Sequence, residues 1–448
     1  MNNSTIVSMV KSMLNFFQKD SKKLAKENGF IKRKSKIDGP SFAKSLIIGL
    51  LHNDKLSLEQ MSNYFFYQGI KVSKQAIHKR FNESSADFLK ELLQLSIKKF
   101  KREHSKVIDL LSPFSGIYIM DSSGVSLPSS MQDEFPGYGG GASKSGMKVQ
   151  VLLEYLSLQI KHLSFTGARV NDQGYSNHLD SIEPGSLYLQ DLGYFNLSNY
   201  KKISDLKGYF ISRFKSGVTV YDKNKEKIIE LGKMLSSYQG DLFFEKVCLG
   251  KIAKFPVYLI AKRAPTKVSE KRIRLLRKEA KKRGRTIKKE TLLLTCWSIY
   301  ITNIPHEILP LDKIDLIYRV RWQIELFFKQ CKSVGMIHHV SSKKSSRMLS
   351  EIYAKFIIII ILLHMIALVR WKEKGEISSI KAMRIFKSTG LDFLASISSA
   401  YKLSNYIKNT LNSFVKFAYK DSWRIKKKST VQLLLQAGKQ RILRVSNA

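Results

Sequence analysis

Apolar residues recur along this chain with three different rhythms. Up to about residue 105 they fall at helical spacing between polar breaks. Within that part, residues 56–81 predict two helices around a turn at Gly69, the second capped by Ser73 and carrying Lys74, Gln75, His78, Lys79 and Arg80. From Ser115 the rhythm shortens to that of strands. GIYIMD (116–121) and SLYLQD (186–191) are short apolar runs that each end on an aspartate, the first followed by a predicted turn at SSG. MKVQVLLEYL and LQIKHLSFTGARV read as the two strands of a hairpin, 176–182 as a helical piece, and GYFISRF (208–214) as a further strand. Residues 218–301 mix strands (DLFFEKVCL, FPVYLIAKR, LLLTCWSIYIT) with the basic helix VSEKRIRLLRKEAKKRGRTIKK. Beyond 334 the helical rhythm returns, first in the all-apolar FIIIIILLHMIALV (356–369), then in a basic tail from 375 to 448 that contains KDSWRIKKKS.

The most informative stretch is 317–334, IYRVRWQIELFFKQCKSV. Wound as an α-helix at about 100° per residue, it gathers Tyr318, Arg321, Trp322, Glu325, Lys329 and Lys332 on one stripe. Val320, Ile324, Phe327, Cys331 and Val334 fall opposite. Such a stripe is often no more than a solvated face, with Glu325 and Lys329 as an i,i+4 pair contributing roughly a few tenths of a kcal/mol. Two large aromatic rings and an arginine are more than solvation needs. A carboxylate among cations and rings suits a metal-assisted site that also grips a phosphate backbone. For each strand-ending aspartate alone, a turn or cap is the plainer explanation; two such strands plus a glutamate helix could together hold oxygen-ligated metal ions.

Charge narrows the partner. The 448 residues, enough for two to four domains, hold 77 Lys and Arg against 36 Asp and Glu, a net charge of +41. A polyanion is the natural counterpart, nucleic acid first and an anionic membrane surface second. Against the membrane, the 356–369 run is short for a span, contains His364 and is flanked by Lys355 and Arg370, so it predicts a buried core helix. The N-terminal segment has no signal-peptide pattern. Cys248, Cys296 and Cys331 are isolated, which argues against a disulfide framework or zinc site and for a reducing cytoplasm. The glycine-rich FPGYGGGASKSG has Ser143 where a phosphate loop needs glycine before Lys144, so it reads as a flexible loop and ATP use is not supported. The paired helices of 56–81 resemble a helix-turn-helix with Lys74, Gln75 and Arg80 turned to DNA; an ordinary helical pair with a basic surface has the same pattern.

Tyr318, Arg321, Glu325 and Lys332 reproduce the spacing Y-x2-R-x3-E-x6-K. With Asp121-Ser122-Ser123 and Asp191-x-Gly193-Tyr194, the chain resembles bacterial insertion-sequence transposases of the DDE type, the insertion sequence four branch, over about residues 115–369. The resemblance implies an α/β fold: a ribonuclease-H-like mixed sheet with flanking helices, interrupted by a β-rich insertion, plus helical N- and C-terminal regions. It divides the chain into a DNA-binding domain (1–105), a catalytic domain (106–215 and 302–372), an insertion (216–301) and a C-terminal region with possible dimer contacts (373–448). Asp121, Asp191 and Glu325 are then expected to hold two Mg²⁺ or Mn²⁺ ions about 4 Å apart, so their oxygens should converge to within about a dozen ångströms. Tyr318, Arg321 and Lys332 would contact DNA phosphates, with Lys329, Trp322 and Arg213 assisting. Trp297 would match an aromatic residue that stacks on a flipped base, or else be a core tryptophan. The implied substrate is double-stranded DNA, transposon ends and target, bound by a homodimer in the bacterial cytoplasm at the nucleoid. A nuclease that joins nothing and a DNA-binding protein without activity are the alternatives.

Overall fold

A computed structural model describes residues 3–100, 108–139, 143–333, 335, 337–338, 344–370, 376–420 and 428–445. Val334 of the apolar stripe, residues 140–142 of the glycine-rich loop and residues 421–427 of the KDSWRIKKKS stretch lie outside them.

The N-terminal rhythm forms α1 (Asn3–Asn15), α2 (Ser21–Glu27), α3 (Gly39–His52), α4 (Leu58–Phe66), α5 (Lys74–Arg80) and α6 (Glu83–Lys99). Polar breaks start these helices because their side chains accept from otherwise unpaired N–H groups. Asp38 with Ser41, Ser57 with Gln60, and Asn82 with Ser85 form reciprocal capping boxes, and Ser73 caps α5. The connection from Phe66 to Lys74 turns at Gly69, whose φ is +76°. It is longer than the three or four residues usual in a helix-turn-helix, and α5 has only 7 residues.

Among the described residues nine strands follow: β1 (Ile117–Leu127), β2 (Ser145–Glu154), β3 (Ile160–Gly167), β4 (Leu187–Gln190), β5 (Tyr209–Arg213), β6 (Val220–Tyr221), β7 (Leu242–Leu249), β8 (Phe255–Arg263) and β9 (Trp297–Thr302). They make one sheet in the order β3-β2-β1-β4-β5-β9-β8-β7-β6. β1, β2 and β3 run antiparallel in succession, while β4 and β5 lie parallel to β1 and to each other. That is the ribonuclease-H-like core. The strands of 216–301 extend the same sheet, because β9 returns antiparallel beside β5.

Two local expectations are corrected. β1 does not stop at Asp121: Ser122, Ser123 and Gly124 stay paired with Gln150, Val149 and Lys148 of β2, although β4 has already ended. The long β2 partner overrides the turn preference of Ser-Ser-Gly. Likewise Lys289–Leu294 is helical, so the strand ending at Thr302 begins only at Trp297.

The helices between and after the strands are α7 (Leu197–Asp205), α8 (Leu231–Ser237), α9 (Thr266–Lys282), α10 (Lys289–Leu294), α11 (Ile314–Tyr318), α12 (Trp322–Ser333), α13 (Ser345–Val369), α14 (Ser379–Ser388), α15 (Gly390–Ser396), α16 (Ala400–Phe417) and α17 (Thr430–Val445). Alternation along β1 separates two cores. Ile117 and Ile119 face α12, α13 and the N-terminal helices; Tyr118 and Met120 face an aromatic layer with Tyr188, Tyr194, Tyr200 and Phe210. α13 is the apolar helix foreseen for the core: 94% of its most apolar window is buried inside the protein. Between α11 and α12, residues Arg319–Arg321 form a 3₁₀ turn. Its tighter winding adds about 60° of rotation over three residues, which brings Tyr318 into line with Arg321; Tyr318 itself is buried.

Candidate active site

Strand register sets the first two acids side by side. Met120 lies opposite Gln190 in the parallel β1–β4 pair, so Asp121 and Asp191 are the next residues on adjacent strands, on the face covered by α12. Arg321 from the 3₁₀ turn and Glu325 from α12 project toward them. The Arg321 guanidinium ties the three together: Nη2 is 2.8 Å from Glu325 Oε1, Nε is 3.8 Å from Asp191 Oδ1, and Nη1 is 4.0 Å from Asp121 Oδ2. Guanidinium nitrogens sit about 2.3 Å apart in a rigid plane, so these three carboxylate oxygens lie within about 10 Å of one another. The rings of Tyr318 and Trp322 are each 5.9 Å from the guanidinium carbon.

Electrostatics at this point are uneven. Burial pushes the Asp121 carboxyl up to about 6, and the charges of Asp191 and Glu325 add to this. The Ser122 N–H, which donates to Oδ1 at 2.8 Å, and Arg321 pull the other way and are outweighed. Arg321 is itself 8% exposed; burial works against its charge, yet Tyr318, Asp191 and Glu325 hold its pKa above the ordinary arginine value. Among the described residues no three acidic, imidazole or thiol groups are gathered closely enough to ligate a single ion. The guanidinium occupies the space between the carboxylates as a stand-in cation. An all-oxygen donor set of three carboxylates, with Asp191 and Glu325 partly open to solvent, fits a hard divalent ion once that cation moves aside. Beside the acids opens a cleft of about 480 Å³ whose walls include Asp121, Ser123, Glu325, Lys329, Lys332 and His338.

The other predicted residues divide into those that reach this region and those already engaged. Trp322 is 57% exposed, Lys329 is exposed and Lys332 half-buried, all along α12. Tyr318 is buried and its hydroxyl donates to the carbonyl of Gln190 at 3.1 Å, so it is not free for a phosphate in this conformation. Arg213 is half-buried, with its guanidinium 5.8 Å from the Tyr300 ring centre. Trp297 is 4% exposed and capped by the Arg263 guanidinium at 4.4 Å. That is the core-tryptophan alternative, and no base can reach the ring without displacing Arg263. On α5, Lys74 and Gln75 face solvent, whereas Arg80 turns back to donate to Phe30 O (3.2 Å) and Ser35 Oγ (2.5 Å) over the Phe30 ring. It is a structural tie and not a base reader in this conformation.

One cluster escaped the sequence reading. Asp172 Oδ1 accepts from Ser122 Oγ (3.0 Å), Lys148 Nζ (3.0 Å) and Gln150 Nε2 (3.2 Å), while Tyr194 OH donates to Gln150 Oε1. These bonds lie on the opposite face of the sheet and join the residue after Asp121 to the turn after Asp191. The available signal was Lys148 and Gln150 at alternate positions of an otherwise apolar strand, which demands a buried polar partner.

Two acids on neighbouring parallel strands, a third brought over by a later helix and an insertion between them make a ribonuclease-H-like scaffold. The transposase DDE domain model matches residues 112–361, and the chain belongs to that family. It is 29% identical over 385 residues to the transposase of insertion sequence element IS231F from Bacillus thuringiensis subsp. israelensis, covering 80% of each chain. With the IS231B transposase of B. thuringiensis subsp. berliner it shares 30% over 385 residues, again 80% of each. With the IS1151 transposase of Clostridium perfringens it shares 26% over 440 residues, 90% and 91% of the two chains. A piggyBac transposase synaptic complex with hairpin DNA, solved by cryo-EM, aligns with a TM-score of 0.44 at 9% identity, over 94% of this chain and 86% of that one.

Proposed function

We propose that this transposase cuts double-stranded DNA at the ends of an insertion sequence and joins the freed 3′-OH to target DNA. The observation that carries the reading is the single guanidinium with Asp121, Asp191 and Glu325 within 4.0 Å of it. In the first step a water oxygen forms a bond to phosphorus, the bond from phosphorus to the 3′-oxygen breaks, and that oxygen leaves as a 3′-hydroxyl. In the second, this hydroxyl attacks a target phosphodiester and displaces the target's own 3′-oxygen, so joining needs no energy source. Asp121, Asp191 and Glu325 are the residues to hold two Mg²⁺ or Mn²⁺ ions, which when bound supply Lewis acidity to an in-line displacement.

The rest falls to the chain itself. Arg321 is charged and held among the three acids, and Lys329 and Lys332 stand on the cleft wall, so these cations suit a phosphate beside the cut. Tyr318 acts through its bond to Gln190 O, fixing the end of β4 against the helix that carries Glu325. Trp322 offers an exposed ring for stacking. Lys74 and Gln75 give the N-terminal helices an outward polar edge toward DNA, and the C-terminal helices remain the region for dimer contacts on DNA.

The test is a labelled duplex carrying the element's own terminal repeat, incubated with Mg²⁺ and a supercoiled plasmid. Joined product is the expected result. Hydrolysis without joining would replace the reading with that of a nuclease, and binding with no cut strand with that of an inactive DNA-binding protein.

A further inference from the structure

The row of residues that begins with the two aspartates does not end with them. Leu189 lies opposite Ile211 in the β4–β5 pair, so Arg213 is the strand neighbour of Asp191, on the same face of the sheet. Arg213 in turn pairs with Tyr300 of β9. Over β9 comes Arg272 from the basic helix α9, donating to the carbonyls of Thr295 (3.3 Å) and Trp297 (3.1 Å) and to Ser298 Oγ (2.9 Å). Ser298 is two residues from Tyr300 and shares its face.

Both guanidiniums spend their contacts on neutral groups, a ring, two carbonyls and a hydroxyl, and among the described residues neither has an ion-pair partner. The nearby acids are engaged elsewhere: Asp315 is bonded to Lys262 at 3.1 Å, and Asp191 is the neighbour of Arg321. Burial lowers the pKa of Arg272 and the like charge of Arg213 lowers it further, with Tyr300 and Cys296 opposing. Two partly buried, unneutralised guanidiniums are unfavourable unless an anion visits them.

We infer that Arg213 and Arg272 together form a phosphate-binding site for the DNA backbone, on the β9 side of Asp191. Strands lie about 4.8 Å apart, so the site sits roughly 5–10 Å from Asp191, within reach of a phosphate one or two nucleotides from the bond that is cut. The DNA therefore leaves the carboxylates across β5 and β9 toward α9, and that helix is pinned beside the site by the same arginine that binds the phosphate. The inference rests on the proposed function, because it needs DNA at the carboxylates.

The experiment pairs arginine removal with neutral phosphates. Arg213→Gln and Arg272→Gln should each lower the slope of log K against log salt for end-duplex binding by about one. A single methylphosphonate is then moved along the duplex near the cut. With the parent protein, one position within about two nucleotides of the cut should weaken binding roughly tenfold, and the same position should cause no further loss in Arg272→Gln. The scan on the parent protein guards against an Arg272→Gln chain whose α9 has merely come loose. Unchanged salt slopes, or losses that add at every position while the parent still cuts the duplex, would overturn the site alone. A parent that never cuts or joins the duplex would overturn the transposase reading, and this inference with it.

Discussion

Asp121→Asn should make the protein more stable while ending its activity. In the folded chain the Asp121 carboxyl titrates at about 6 against an ordinary 3.8, chiefly because it is buried. Keeping it ionised near neutral pH therefore costs about 3 kcal/mol at one pKa unit per 1.36 kcal/mol. Asparagine keeps the shape and an oxygen for the Ser122 N–H, so about 1–3 kcal/mol of that cost should return as stability, raising the melting temperature by a few degrees. The sign follows from the direction of the shift. The folded state binds the proton more tightly, so the parent's deficit is absent below about 4 and grows as pH rises through 6. Thermal melts of parent and variant without added metal, from pH 4 to 8, should diverge between about 4 and 6 and keep a constant gap above that. Cleavage by the variant should fall to background at every pH. A variant less stable than the parent at pH 7.5, or a stability gap that ignores pH, would refute the account of Asp121 as a buried, strained charge.

Three further substitutions separate structure from chemistry. Trp297→Ala should cost about 3–5 kcal/mol in denaturant unfolding, as expected of a core aromatic, and a purely DNA-linked defect with normal stability would contradict the buried placement. Asp172→Ala strips the carboxylate from Lys148, which is 8% exposed and keeps its bond to the Val170 carbonyl, and should destabilise by about 2–4 kcal/mol; Asp172→Ala with Lys148→Met should recover much of that stability but not the cleavage rate, since the tie to Ser122 is still missing. Arg80→Ala should lower stability by about 1–2 kcal/mol through its lost bonds to Phe30 and Ser35, whereas Lys74→Ala should leave melting unchanged and weaken DNA binding.

The acids were legible because an apolar run that ends on a charge is conspicuous in the sequence, and 116–121 and 186–191 are such runs. The glutamate helix was legible through its stripe, and α13 through an apolar content too uniform for a surface helix. Less visible was whatever depended on a distant partner. Ser122 to Gly124 form strand only because β2 continues beside them. The outward look of Arg80 vanished once Phe30 packed beneath it, and Trp297 was claimed by the core of the extended sheet. The Tyr318 hydroxyl was claimed by the carbonyl of Gln190 at the end of β4. In each case local preference was outvoted by a contact made far along the chain.

In the proposed reaction Asp121, Asp191 and Glu325 act on one phosphate. A precut end duplex with a free 3′-OH, a plasmid target and Mg²⁺ tests this, comparing the parent with Glu325→Gln at matched DNA occupancy. The account predicts joined product from the parent and none from a variant that binds the duplex as tightly. Joining by Glu325→Gln at the parent's rate would contradict it.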